Sequence, residues 1–152
     1  MYSVTIFLHS WLRYVVLGFG LWLLLLSFRG MRADAAWTEG AQRAQRLFIA
    51  ALNVQFVLGL ALYVWLSPIT QAAFANMGAA MKEPQLRFWG VEHVVTMIVA
   101  IGVAHMGSAR GKRKDGAARY RTTFRFTLAW LVLTLLAIPW PWLDIGRPLF
   151  RL

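Results

Sequence analysis

His9 and Arg13 stand one helical turn apart in LHSWLRY, at the head of a nearly unbroken apolar run, and His93 stands in GVEHVV inside another. An imidazole offers a nitrogen lone pair to a metal, and a guanidinium offers a fork of N–H donors to a carboxylate. Ionisable groups in apolar surroundings are costly to keep, which marks them as functional candidates. A third imidazole, His105, follows His93 by twelve residues. That spacing is about 120° round a helix and roughly 18 Å along it, so His93 and His105 cannot share one small site.

The elements that carry these residues follow from composition. Of 152 residues, 59% are hydrophobic and only 14% charged, too apolar for an ordinary soluble domain. Four runs, about 4–28, 47–66, 88–107 and 126–143, approach the roughly 20 helical residues that cross a hydrocarbon layer of about 30 Å. They are continuous and rich in Leu, Ala and Val, not alternating as barrel strands are. The expected fold is all-α, a single domain over 1–152 forming an up-down bundle of four transmembrane helices. The first run lacks a preceding basic residue and a cleavage signal, so it is expected to stay in the mature protein. With no cysteine, disulfides, thiolate metal sites and covalent c-type haem attachment are excluded.

The net charge of +10 is unevenly spread. Eleven of the sixteen Lys and Arg residues fall in FRGMRADAAWTEGAQRAQR and ARGKRKDGAARYRTTFR, between the first and second and the third and fourth runs. The positive-inside rule then puts both loops in the cytoplasm and both termini on the outer, periplasmic side of a bacterial inner membrane. GKRK reads as an orientation signal touching anionic membrane lipids, in preference to a nucleic-acid contact. Trp11, Trp65, Trp89, Trp140 and Trp142 fall near the outer boundary, where an indole is comfortable. The outer loop SPITQAAFANMGAAMKEPQ is expected as an amphipathic surface helix, and IPWPWLD as the end of the fourth span, followed by an external tail, GRPLFR.

Counted back from the inner ends, His9 lies twenty residues before Arg29 and His93 seventeen before Arg110, a depth difference of roughly 5 Å. The first and third spans of an up-down bundle are diagonal neighbours, so the two imidazoles can face each other as the axial pair of one b-type haem. Arg13 would meet a propionate, and Trp89, Gly90 and Met97 share the His93 face, Gly90 leaving room beside the ligand. Gly20 leaves similar room on the first span, although small residues also serve close helix contacts. Either histidine alone also fits a plain structural role, wetted at the interface or bonded to a carbonyl. Lys82, Arg87 and Arg147 are further outer-side cations that could meet a propionate, and Glu92 is expected to pair with one of them. On the inner side, His105, Asn53 and Gln55 offer hydrogen bonds to a quinone headgroup, or equally between helices.

The segments YSVTIFLHSWLRYVVL, QFVLGLALYVWLSPI, RFWGVEHVVTMIVAIGVAHMGSARGKRK and IPWPW with GRP resemble a family of small four-helix bacterial membrane proteins labelled cytochrome b-like. The likeness spans nearly the whole chain and implies haem ligands at His9 and His93. The family pattern can carry a histidine where this chain has Asn53.

The leading expectation is a single-haem membrane cytochrome, an electron carrier and not a stand-alone enzyme. It would pass electrons between a quinone pool and an outer-side acceptor or a larger redox complex. The alternative is a non-catalytic accessory subunit of a respiratory or photosynthetic membrane complex; the expected partners are membrane lipids and a larger membrane redox complex or further copies of the chain in a homo-oligomer. A third class, copper transport, is suggested by Met77 and Met81 beside the two histidines. Glycine-rich phosphate loops, nucleophile elbows and HExxH are absent from the sequence, which disfavours hydrolytic chemistry.

Overall fold

The structure, a computed structural model, describes residues 1–148, so residues 149–151 of the expected external tail lie outside the described residues. It is all-helical, with no strand among the described residues. Helix α1 runs Tyr2–Arg32. Helix α2 runs Glu39–Ala61 and continues through a wider turn, Leu62–Leu66. Three short pieces follow: α3 (Pro68–Ala75), α4 (Met77–Ala80) and α5 (Pro84–Arg87). A second wide turn, Phe88–Glu92, leads into α6 (His93–Gly111), and α7 spans Gly116–Ala137.

The caps explain where these helices begin. Thr38 accepts the Ala41 N–H at 3.2 Å to start α2, and Arg43 reaches back to Glu39 one turn earlier. Ser67 and Glu83 cap α3 and α5, each followed by a proline whose missing N–H costs nothing at the first helical position. Helix α7 stops at Ile138, whose extended backbone is what a residue before proline prefers.

Tyr2–Arg32, Glu39–Leu66 and Pro84–Gly111 are long and apolar enough to cross a membrane, which marks the chain as a membrane protein. Helix α7 differs from the expected 126–143 at both ends. Arg119, Arg121 and Arg125 occupy its first half, and residues 138–143 leave the helix at the prolines. The outer loop is also not one surface helix. Its three pieces fold over the ends of α2 and α6 as a cap, with Ala73 and Ala80 fully buried.

Helix α1 packs along α2 and α7, and α7 packs along α6. Helices α1 and α6 therefore lie across the diagonal, while α2 and α6 barely touch and leave a seam between them. The core is centred on α1, α2 and α7, with Ala100 and Ala104 of α6 packed into it. Trp130 is fully buried there, edge-on to Phe48 at 4.5 Å, with Val16, Leu23 and Leu52 around it. Gly20 makes this possible, because a Cβ at that position would collide with the Trp130 ring. The space at Gly20 thus belongs to Trp130, not to a guest beside His9.

Gly20→Ala should therefore lower thermal stability in detergent by about 1–3 kcal/mol, the cost of overpacking a core. Gly18→Ala, where an added Cβ meets nothing within 4 Å, should be neutral or stabilising by up to about 1 kcal/mol. Parallel melting curves of the two variants check this contrast.

Candidate functional site

The two prolines of IPWPW each take away a donor that α7 needs. Continuing the helix would pair Leu135 O with the N–H of residue 139 and Ala137 O with that of residue 141, but both are proline. Side chains complete these carbonyls instead. Trp140 Nε1–H donates to Leu135 O at 2.9 Å, and His93 Nδ1 lies 2.9 Å from Ala137 O. A carbonyl can only accept, so His93 Nδ1 carries the proton and Nε2 keeps its lone pair. Carbonyl-oriented imidazoles of this kind are the usual form of a metal-ligating histidine.

His93 sits where the wide turn Phe88–Glu92 hands over to α6, its backbone N–H bonded to Phe88 O. A matching wide turn ends α2, where Ser67 N–H donates to Leu62 O at 2.9 Å. Such i→i+5 turns rotate the side chains beyond them and occur often at functional sites. Tyr63, inside the first, donates its hydroxyl to Gly90 O at 2.9 Å, inside the second. The two turns are thereby tied together under the cap.

His9 meets a different partner. The Gln55 amide nitrogen donates to His9 O at 3.0 Å, which fixes the orientation of the amide, and lies 3.3 Å from His9 Nε2. Nε2 is then the acceptor and Nδ1 carries the proton. Gly59, one turn beyond Gln55, admits the ring against α2, since a Cβ there would stand 3.0 Å from His9 Cε1.

Both histidines line one cavity of about 180 Å³, bounded by α1, α2, α6 and the end of α7. Arg13, Gln55, Trp89, Met97, Thr134 and Arg147 share its walls. Arg13 donates to Tyr14 Oη at 2.9 Å, and Arg147 lies over the Trp89 ring at 5.4 Å. Four buried polar atoms in these walls have no hydrogen-bond partner: His9 Nδ1, Gln55 Oε1, Trp89 Nε1 and Thr134 Oγ1. Unsatisfied groups are rare in apolar interiors, and four of them belong to residues around this one cavity.

Of the expected haem-side residues, His9, His93, Arg13, Trp89 and Met97 are brought together here. Gly90 is not: it faces the cap, where its Cβ would stand 3.0 Å from Ala73 Cβ. Glu92 pairs with Arg87 at 2.6 Å and stays out of the cavity. The expected inner-side trio divides. His105 Nε2 is 2.9 Å from Asn53 Oδ1, bridging the seam between α6 and α2, whereas Gln55 turns to His9. Met77 and Met81 are exposed on the cap, and no group of three His, Cys, Asp or Glu side chains is placed to hold a metal ion among the described residues.

Arg147, one of the outer-side cations the sequence offers to a propionate, lines the cavity, whereas Lys82 and Arg87 do not. Gly59, Tyr63 and Thr134 are cavity residues the sequence does not single out; Gly59 alone carries a signal, a small residue one turn from a polar Gln55 on an apolar span.

Fold and cavity together define a small helical membrane protein with a two-histidine chamber. No family model, curated protein or solved structure matches the chain.

Gln55→Leu strips His9 of its amide contacts in a buried setting and should cost about 1–3 kcal/mol. Asn53→Leu, at an exposed interhelical bond, should cost only about 0.6 kcal/mol. Unfolding of both variants in mixed micelles measures the difference.

Proposed function

We propose that the chain is a membrane cytochrome holding one b-type haem between His9 and His93. The observation that carries this reading is that the two imidazoles come from diagonal helices and line the same cavity, one of them with its Nε2 lone pair uncommitted.

The residues fit the group in kind. His93 would bind through Nε2, oriented by Ala137. His9 would bind through Nε2 after the Gln55 amide leaves that nitrogen, its bond to His9 O remaining as an anchor. Arg13 and Arg147 offer cations to two carboxylates in a low-dielectric wall. At about 180 Å³ the cavity is narrower than the roughly 300–1,000 Å³ of a formed ligand pocket. A flat macrocycle therefore requires the seam between α2 and α6 to part, the one helix pair in the square with almost no packing to lose. One-electron redox chemistry would come from the iron, while the chain supplies orientation, exclusion of water and neutralising charge.

In this reading α7 is the fourth crossing, completed beyond Ala137 by the apolar residues 138–143, and the basic loops face the cytoplasm of a bacterial inner membrane. Electrons would pass between a quinone pool and an acceptor on the histidine side or a larger redox complex. The His105–Asn53 pair is the quinone-facing candidate.

The purified full chain should contain about one haem and show a b-type reduced-minus-oxidised spectrum. His9→Ala and His93→Ala should each lose the haem, while His105→Ala, a cavity outsider, should keep it. A chain that folds and carries no haem in any preparation contradicts the proposal, and favours a non-catalytic accessory subunit.

A further inference from the structure

Near the other end of the seam lies a second cavity, about 530 Å³, lined by α2, α6 and the start of α7. Arg46, Lys112 and Arg119 face it together with Gln42, Gln45 and Ser108, and among the described residues no carboxylate is in its lining. The two ion pairs among the described residues, Arg43–Glu39 and Arg87–Glu92, involve none of these cations.

Arg119 is held in place for this role. Its Nη2 donates to Gln42 Oε1 at 2.7 Å, and its guanidinium stacks on Trp37 at 4.1 Å. Its Nε is buried with no hydrogen-bond partner. The guanidinium is cationic at neutral pH.

From the cavity the seam continues past Ile49 and Ala50 along the apolar flanks of α2 and α6, where Leu60 and Ile98 are exposed. A cationic pocket that opens along the helices into a strip of apolar side chains matches one chemistry, a phosphate bearing acyl chains. Basic pockets between membrane helices bind such headgroups.

We infer that this cavity is a specific site for an anionic phospholipid, its phosphodiester held by Arg46, Lys112 and Arg119 and its acyl chain laid in the seam. The headgroup site does not depend on haem, because Arg46, Lys112 and Arg119 lie at the opposite end of the bundle from His9 and His93; Asn53, the quinone-facing candidate, also lines it.

Native mass spectrometry of the full chain in neutral detergent, titrated with phosphatidylglycerol and phosphatidylcholine, tests it. Phosphatidylglycerol should be retained about tenfold or more in preference. Arg46→Gln with Lys112→Gln should erase that preference, and Arg46→Lys with Lys112→Arg should retain it, showing that a folded chain with the same charges binds. Arg32→Gln with Arg113→Gln, which removes two cations outside the cavity, should leave it unchanged.

Equal retention of the two lipids overturns the inference, as does an equal loss in both glutamine pairs, which would mean surface charge alone. Displacement of the lipid by millimolar inorganic phosphate would make the ligand a free anion and overturn it too. So would binding of a short-chain quinone where phosphatidylglycerol fails.

Discussion

Trp130 against Gly20 is the contact on which the rest of the molecule depends. A full indole can enter the middle of the bundle only where α1 has no side chain, and once there it locks α7 to α1 and, through Phe48, to α2. Three sides of the square, α1–α2, α1–α7 and α6–α7, are closely packed, whereas the fourth, α2–α6, barely touches. Both cavities lie along that unfilled seam. In a bilayer, where apolar burial gives no driving force between helices, such uneven packing decides which interfaces are firm and which can yield.

The histidine chamber is a consequence of how backbone groups are satisfied without water. Prolines at 139 and 141 remove donors from the last turn of α7, and Trp140 and His93 replace them. One result is a terminated helix. Another is an imidazole whose tautomer is dictated by a carbonyl oxygen, leaving its second nitrogen turned to other uses. The wide turns at the ends of α2 and α6 act similarly: tied by Tyr63 to Gly90 and roofed by the cap through Thr70 to Tyr63 O at 2.9 Å, they swing side chains into positions a regular helix does not offer.

The helices were legible because length and continuous hydrophobicity are properties of the run itself. The shared level of His9 and His93 was legible because rise per residue is constant. The diagonal placement of α1 and α6 followed from the commonest bundle order. Contacts that depend on which way a small residue faces were not legible: Gly20 serves Trp130 and Gly90 serves Ala73, though each shares a helical face with a histidine. Gln55 was read toward the basic end, yet its amide spans to His9, since a glutamine reaches a full turn from its Cα. The cap was read as one surface helix because alternating small and apolar residues fit that pattern, whereas breaks at Asn76 and Glu83, each capping a new short helix, fold it inward.

The central claim is that the imidazoles of the first and third long helices can close on one iron. Low-temperature electron paramagnetic resonance of the oxidised full chain measures this through the spin state and axial field of the metal. A single low-spin ferric signal of bis-imidazole type is the predicted result. A high-spin signal, or a low-spin signal unchanged when His9 is replaced by Met, would contradict it.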